Sequence, residues 1–202
     1  DLFLSSKIVK ESQCAFTNGS GIDLKNYDYI PEPSDEVIKI IFTARMVEDK
    51  GTLVLIEAAN KLKIEYRNKV QFLLCGGLDT NPNGITKDML ISKCDGDYIQ
   101  WLGHRKDVLE LLRSSHIMAF PSWYREGLPI CRDTVIDGVN GFIIPPKNSI
   151  ALADALKKLI DNPLLRKEMG KKAREFAVGK FDVNDVIEVH LDIYKKFLKI
   201  SS

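Results

Sequence analysis

Near-continuous apolar runs recur along the middle of this chain. The first two are V-I-K-I-I-F at residues 37–42 and V-Q-F-L-L-C at residues 70–75. Shorter runs follow at residues 98–102 and 117–120. A strand that is buried on both faces of a sheet has this pattern, whereas a strand with one solvated face alternates apolar and polar residues. We therefore predict four buried strands in this order.

Between these runs, apolar residues recur at the spacing of a helix. One predicted helix covers residues 53–66, with Thr52 as its N-cap, and others cover residues 85–94 and the stretch from Val108 to Leu112. Parallel strands need crossover connections, and helices provide them. The alternation therefore predicts an α/β fold with a doubly wound, Rossmann-like parallel sheet.

The last third of the chain has a different pattern. Residues 140–144 predict a short strand that ends at Pro145, and three helices follow, the first of them capped by Ser149. Near the other end, residues 28–35 are rich in proline and turn-forming residues and are typical of a linker. We predict a main domain at residues 35–202, preceded by a segment and linker at residues 1–34.

Composition excludes several classes of function. The net charge is +1, so no overall field attracts nucleic acid or an anionic membrane. The four cysteines are dispersed, which predicts free thiols, and the three histidines form no metal-binding cluster. No apolar run approaches the roughly 20 residues of a membrane span. Because the chain begins at Asp1 without methionine, we expect a fragment or an excised domain.

Two cations follow the first predicted strand. Arg45 and Lys50 come just before the helix at residues 53–66. Cations beside the N-terminus of a helix form a natural site for a diphosphate, because the helix dipole also favours an anion there. The alternative is a solvated surface pair, and the spacing alone leaves both interpretations open.

The loop after the third strand could accept a flat ring. It contains Leu102, Gly103, His104 and Arg105. A glycine before polar residues lets a ring such as a nucleobase approach the backbone. The alternative is an ordinary turn between strand and helix. His104 as a general base is less favoured, because it has no partner nearby in the sequence.

The loop after the fourth strand carries a carboxylate. Its sequence E-G-L-P covers Glu126, Gly127, Leu128 and Pro129. A carboxylate can accept hydrogen bonds from sugar hydroxyls, whereas the alternative is a surface turn with one solvated glutamate. The carboxyl ends of parallel strands meet at one edge of the sheet. Cations, a niche for a ring and a hydroxyl acceptor would meet there, and a nucleotide-sugar requires that combination.

The chain also resembles a known family in several segments. F-T-A-R-M-V-E-D-K-G at residues 42–51 is similar to the phosphate-binding segment of the "glycosyl transferases group 1" family, the retaining glycosyltransferases of the GT-B fold. W-L-G-H-R-K-D-V at residues 101–108 resembles its nucleobase segment, and P-S-W-Y-R-E-G-L-P at residues 121–129 its donor-sugar segment. Two further segments, at residues 18–24 and 137–146, also match, and the likeness includes enzymes that build bacterial capsule or lipopolysaccharide chains.

The resemblance implies roles for the residues of these segments. Arg45 and Lys50 would hold the donor diphosphate and stabilise the leaving nucleotide, while Glu126 would bind the donor sugar. The backbone from Gly127 to Pro129 would line the sugar pocket. Leu102, Gly103, His104 and Arg105 would lie near the base. The implied reaction is a retaining transfer from a nucleotide-sugar, most simply a UDP-sugar, without a metal ion or other cofactor.

The resemblance also implies partners and a location. The acceptor would be a glycan or a lipid-linked glycan, bound through an N-terminal domain of which residues 1–34 would be a remnant. The full-length enzyme would be cytoplasmic and could associate peripherally with the inner face of the membrane. Without the acceptor domain, we expect this fragment to be inactive as a hexosyltransferase.

The chain departs from the family pattern after Ile130. A helix with a second glutamate and then a strand should follow, but Cys131 begins the segment that normally comes after those elements. A mean helix and strand with their turns amount to about twenty residues. We therefore expect that about twenty residues are missing between residues 130 and 131.

Two other functions stay open at this stage. One is a non-catalytic module that binds a sugar-nucleotide or a protein partner on the same fold. The other is a GT-B-type sugar-nucleotide epimerase, which would convert the free donor without an acceptor. The combination of Arg45, Lys50 and Glu126 favours a transferase.

Overall fold

The computed structural model of the protein describes residues 2–14, 20–79, 84–123 and 134–198. Within these residues the strands are β1 (Ile38–Thr43), β2 (Val70–Cys75), β3 (Ile99–Gly103) and β4 (Ile117–Met118). The helices are α1 (Leu2–Ser5), α2 (Thr52–Tyr66), α3 (Lys87–Lys93), α4 (Val108–Arg113), α5 (Ser149–Asp161), α6 (Pro163–Lys180) and α7 (Val183–Leu198). Short 3-10 helices lie at Glu11–Gln13, Leu24–Asn26 and Glu48–Lys50.

The four strands form one parallel sheet in the order β3-β2-β1-β4. The register pairs Ile38 with Val70 in β1 and β2, and Ile40 with Ile117 in β1 and β4. Because every pair is parallel, the carboxyl ends of all four strands lie at the same edge. The predicted doubly wound, Rossmann-like α/β fold is confirmed.

The core explains why the strands appear as continuous apolar runs. Ile40, Ile41 and Phe42 are consecutive in β1, and all three are buried. Since successive side chains of a strand point to opposite faces, both faces of β1 must be covered. Helix α2 contacts α5. The Tyr66 hydroxyl donates a hydrogen bond of 2.8 Å to the Asp161 carboxylate between these two helices. Burial and this hydrogen bond raise the pKa of Tyr66 to about 12.

The chain divides into two compact units. The first consists of residues 30–173, and the second consists of residues 1–29 together with residues 174–202. The sheet and α2 to α5 belong to the first unit. In the second, the Ile22 amide donates to the Phe181 carbonyl at 2.7 Å, and the Val183 amide donates to the Ile22 carbonyl at 3.0 Å. Arg174 donates to the Tyr27 carbonyl at 2.5 Å. The predicted domain boundary at residues 34 and 35 stays a prediction about the family's domain organisation.

The predicted strand at residues 140–144 is wrong. In its place the described residues form a turn in which Asp137 and Gly141 make an isolated bridge. The Asn140 side chain accepts from the Ile136 amide at 2.6 Å, and the Asp137 side chain accepts from the Ile143 amide at 2.9 Å. Local side chains therefore satisfy the backbone groups that a neighbouring strand would otherwise satisfy.

Two predicted helix caps are also wrong by one residue. Gly51 rather than Thr52 precedes α2, and the buried Thr52 hydroxyl donates instead to the Val47 carbonyl at 3.1 Å. Asn148 rather than Ser149 caps α5, because its side chain accepts from the Ala151 amide at 2.9 Å. Asn and Ser are comparable caps, so the sequence alone does not decide between adjacent candidates.

None of the helices in the described ranges combines the length and the apolar character that crossing a membrane requires. The cysteines that lie within those ranges, Cys14, Cys75 and Cys94, are free thiols, as expected.

Candidate nucleotide-sugar site

A cavity of about 200 Å³ opens at the carboxyl ends of β1, β2 and β3. Its lining combines backbone at the strand ends with cationic and imidazole side chains: Thr43, Ala44, Arg45, Cys75, Gly76, Gly77, His104, Arg105 and Val108. Arg45, His104 and Arg105 were predicted for this site, and the fold brings all three onto the wall of one cavity. This edge of an open α/β sheet is the one that usually binds ligands.

Arg45 follows β1 and lies at the exposed side of the cavity wall. Its side chain is 67% exposed and forms an ion pair with Asp79, which follows β2. A guanidinium group has five N–H donors, so one carboxylate partner leaves donors for a second anion. Asp79 was not predicted, because it lies 34 residues away from Arg45 in the sequence.

The loop between β1 and α2 is compact. Glu48–Lys50 form a 3-10 helix, and Gly51 then adopts a left-handed backbone with φ of 82°. The Lys50 ammonium lies 5.8 Å from the centroid of the Phe120 ring. Lys50 is not among the residues that line the cavity, so the structure does not bring it onto the same wall as Arg45.

Strand β3 contains a bulge just before its last residue. Leu74 pairs with Trp101 and Cys75 with Gly103, so Leu102 has no partner in β2. Gly103 has a left-handed backbone, with φ of 68°. The cavity wall at this point is made by His104 and Arg105, while Leu102 and Gly103 are not part of it.

Arg105 is held by a neighbour in its own loop. Its Nε donates to Asp107 Oδ1 at 2.8 Å, and its Nη2 donates to Oδ2 at 2.5 Å. The hydrogen bonding raises the pKa of Arg105 and lowers the pKa of Asp107. Arg105 is therefore cationic at neutral pH, and its guanidinium plane is fixed by a bidentate contact.

Sequence reasoning missed the contribution of the end of β2. Cys75, Gly76 and Gly77 line the cavity, although the sequence was interpreted there only as a sharp strand end. The available signal was the glycine pair directly after a buried strand, because two residues without side chains allow a ligand to approach the backbone. Burial raises the pKa of the Cys75 thiol, so this side chain is neutral and contributes shape rather than charge.

The predicted sugar-binding residues Glu126, Gly127, Leu128 and Pro129 lie outside the described residues. The described chain just before them contacts the loop of Lys50. The Ser122 hydroxyl and the Trp123 amide both donate to the Asp49 carbonyl, at 3.2 Å and 3.1 Å. The segments predicted to bind diphosphate and sugar are therefore in direct contact where they are described.

The described residues contain no group of three or more His, Cys, Asp or Glu side chains placed to hold a metal ion. The prediction that no metal takes part stays a prediction. The chemistry that the cavity offers is guanidinium charge from Arg45 and Arg105, an imidazole from His104 and the peptide backbone at Gly76 and Gly77. Such a set can bind an anionic ligand that also carries a flat polar ring.

Two family models, both described as "Glycosyl transferases group 1", match residues 38–131 and 129–176. Together they cover residues 38–176, which is more than half of the 202 residues. The chain belongs to the glycosyl transferases group 1 family.

Two relatives are bacterial glycosyltransferases. An N,N'-diacetylbacillosaminyl-diphospho-undecaprenol alpha-1,3-N-acetylgalactosaminyltransferase of Campylobacter jejuni is 25% identical over 228 residues, covering 98% of this chain and 58% of the relative. The capsular polysaccharide biosynthesis glycosyltransferase CapM of Staphylococcus aureus is 24% identical, covering 98% of this chain and 59% of the relative. This chain thus spans somewhat more than half the length of either relative.

A solved structure has the same fold. HepE of Anabaena, in complex with UDP and glucose, superposes with a TM-score of 0.70 at 19% identity, covering 89% of this chain and 55% of HepE. This likeness agrees with the parallel sheet and its flanking helices.

Proposed function

We propose that this chain is the donor-binding part of a glycosyltransferase that takes its sugar from a UDP-sugar. The observation that carries the proposal is the cavity at the strand ends, where Arg45, His104 and Arg105 meet the backbone of Gly76 and Gly77. Membership of the glycosyl transferases group 1 family supports it, as does the UDP bound to HepE on the same fold.

Within this proposal the cations hold the leaving diphosphate. A guanidinium group binds phosphate oxygens through paired N–H donors, and charge-assisted hydrogen bonds are about twice as strong as neutral ones. Negative charge grows on the diphosphate as the bond to the sugar breaks, so fixed cations stabilise the transition state more than the ground state. Arg45 and Lys50 supply this charge, without a metal ion.

The cavity of about 200 Å³ is smaller than a typical ligand pocket of roughly 300–1,000 Å³. We therefore assign it to the nucleotide and leave the sugar to the segment of Glu126. Glu126 binds the sugar hydroxyls, and the transfer retains the anomeric configuration. A lipid-linked glycan is our proposed acceptor, in the synthesis of a surface polysaccharide. The undecaprenol in the name of the Campylobacter relative and the capsular role in the name of CapM support this choice.

Titration calorimetry with UDP tests the diphosphate assignment. We expect the chain to bind UDP and Arg45→Ala to weaken binding about tenfold or more, because a hydrogen bond to a charged group contributes about 1.5–3 kcal/mol. Lys50→Ala should weaken binding less, since Lys50 is not among the residues that line the cavity.

Lys172→Ala is the matched control, because it removes a cation that pairs with Glu168 on α6, outside the cavity lining. Unchanged affinity in both Arg45→Ala and Lys50→Ala would refute the assignment. Conversion of free UDP-sugar without an acceptor would indicate an epimerase in place of a transferase.

A further inference from the structure

One side chain of β3 reaches the backbone at the end of β2. The indole N–H of Trp101 donates a hydrogen bond of 2.9 Å to the Gly76 carbonyl. Trp101 is partly buried and packs against the hydrophobic core, so its ring position is set by its surroundings. Gly76 lies one residue beyond β2 and lines the cavity. The hydrogen bond therefore connects a packed side chain to the wall of the candidate site.

The peptide at Gly76 is also constrained from the neighbouring strand ends. The Gly76 amide donates to the Gly103 carbonyl at 2.8 Å, and the Met46 amide donates to the Gly77 carbonyl at 2.8 Å. A Cβ atom at position 76 would lie 1.8 Å from the Ala44 carbonyl oxygen. Chain segments after three strands thus meet at this glycine pair, and position 76 has no room for a side chain.

The bulge in β3 explains why the Gly76 carbonyl accepts its hydrogen bond from a side chain and not from the backbone of β3. The ladder shifts register between Leu74 and Cys75, where Leu102 is left out of the pairing. A bulge disrupts the regular ladder and re-aims the residues beside it. Gly76 lies past this irregularity, and the Trp101 indole supplies its carbonyl with a donor from outside the ladder. This hydrogen bond adds to the constraints on the Gly76–Gly77 peptide, and both of these glycines line the cavity.

We infer that Trp101 is a positioning residue for donor binding: its indole N–H holds the Gly76–Gly77 backbone in the orientation that the nucleotide contacts. Trp101 itself is not among the residues that line the cavity, so it acts through Gly76. This inference rests on the proposed function for its ligand, but the hydrogen bond and its effect on Gly76 can be tested without any ligand.

The test separates the N–H group from the bulk of the ring. In one variant the isostere β-(3-benzothienyl)alanine replaces Trp101, which substitutes sulfur for N–H at nearly constant volume; Trp101→Phe is the second variant. The control is Tyr98→Phe, directly before β3, where the buried hydroxyl donates to the Ala59 carbonyl at 3.1 Å. Both positions lose one side-chain hydrogen bond to a backbone carbonyl, but Ala59 does not line the cavity.

UDP affinity is measured by calorimetry and amide hydrogen exchange by NMR. We expect both Trp101 variants to weaken UDP binding about three- to tenfold, the factor that one hydrogen bond typically contributes. The Gly76 amide belongs to the preceding peptide and donates to the Gly103 carbonyl, but it adjoins the carbonyl that Trp101 holds, so its exchange should accelerate as well. Tyr98→Phe should lower the melting temperature while UDP affinity and Gly76 exchange stay within twofold of the wild type.

Equal UDP affinity in the wild type and the benzothienyl variant would overturn the inference. So would unchanged Gly76 exchange in that variant, whether or not UDP binds. A wild-type chain that does not bind UDP at all would refute the proposed function instead, and Gly76 exchange would then decide alone whether Trp101 holds the backbone at Gly76.

Discussion

Gly51 stands between Lys50 and helix α2, and its lack of a side chain decides how closely two loops of the site approach. A Cβ atom at this position would lie 2.3 Å from the Pro121 carbonyl oxygen, and the backbone φ is 82°. Both the steric contact and the left-handed conformation exclude other residues. The loop of Lys50 therefore touches the segment that leads to Glu126 only because residue 51 is glycine.

We expect Gly51→Ala to lower the free energy of unfolding by about 3 kcal/mol or more. The left-handed backbone alone costs roughly 1–2 kcal/mol for an L-residue, and displacement of the Pro121 backbone adds to it. Urea unfolding measures this change. The matched control is Gly96→Ala, where φ is 75° but nothing lies within 4 Å of the added Cβ. If both variants lower the free energy of unfolding by the same amount, contact with Pro121 does not restrict the residue at position 51.

His116 is a second residue whose surroundings determine its chemical state, here whether its ring is protonated. Its Nδ1 atom accepts the Lys39 amide hydrogen at 3.1 Å, so this nitrogen must be unprotonated. Burial lowers the pKa of His116, and Arg166 and Lys39 lower it further, while Glu32 and Asp35 oppose the change. The folded protein therefore prefers neutral histidine, whereas the unfolded chain takes up a proton below the usual value of 6.5.

Stability should consequently fall as the pH decreases below about 6.5, because unfolding then takes up a proton. The loss is at most about 1.4 kcal/mol per pH unit for one group. His116→Asn keeps an acceptor oxygen near the position of Nδ1 but does not titrate in this range. Urea unfolding at pH 7.5 and 5.5 should show a smaller loss in His116→Asn than in the wild type. Equal losses would mean that His116 does not govern this pH range.

At the scale of elements, the sequence predicts the strands well because burial on both faces leaves a strong pattern. The predicted β2 at residues 70–75 has the bounds that the structure gives, and β1 and β3 are each displaced by one residue. The turn at residues 137–141 could not be predicted from apolar residues alone. There the hydrogen bonds of Asn140 and Asp137 to nearby amides prevail over the strand preference of Phe142 and Ile143.

The candidate site was predictable only where a side chain carries its chemistry. Arg45, His104 and Arg105 were found from their positions after strands, and the fold brings them together. The cavity wall at Gly76 is peptide backbone, which leaves no residue-type signal beyond the glycines. The pairing of Arg45 with Asp79 and the reach of Trp101 to Gly76 depend on contacts between elements, which no local pattern encodes.

At the scale of the whole molecule, β4 is the last strand at one side of the sheet that the described residues form. Within the described chain β4 pairs with β1 only, and Met118 is 55% exposed and Phe120 36% exposed beside it. The match with the Campylobacter relative extends over 228 residues, more than the 202 of this chain, so the relative carries residues without a counterpart here. The two family models overlap at residues 129–131, which is also where we propose that a helix and a strand are missing, between Ile130 and Cys131.

We expect insertion of the corresponding segment of the Campylobacter relative between Ile130 and Cys131 to raise the melting temperature of the chain. A strand added beside β4 would cover Met118, and complete burial of one such side chain contributes about 1.5–3 kcal/mol. The control is a Gly/Ser linker of equal length, which lengthens the connection at a small entropic cost but cannot extend the sheet. If the relative's segment raises the melting temperature no more than the linker does, the sheet needs no further strand beside β4. The departure after Ile130 would then be a property of this protein rather than a missing segment.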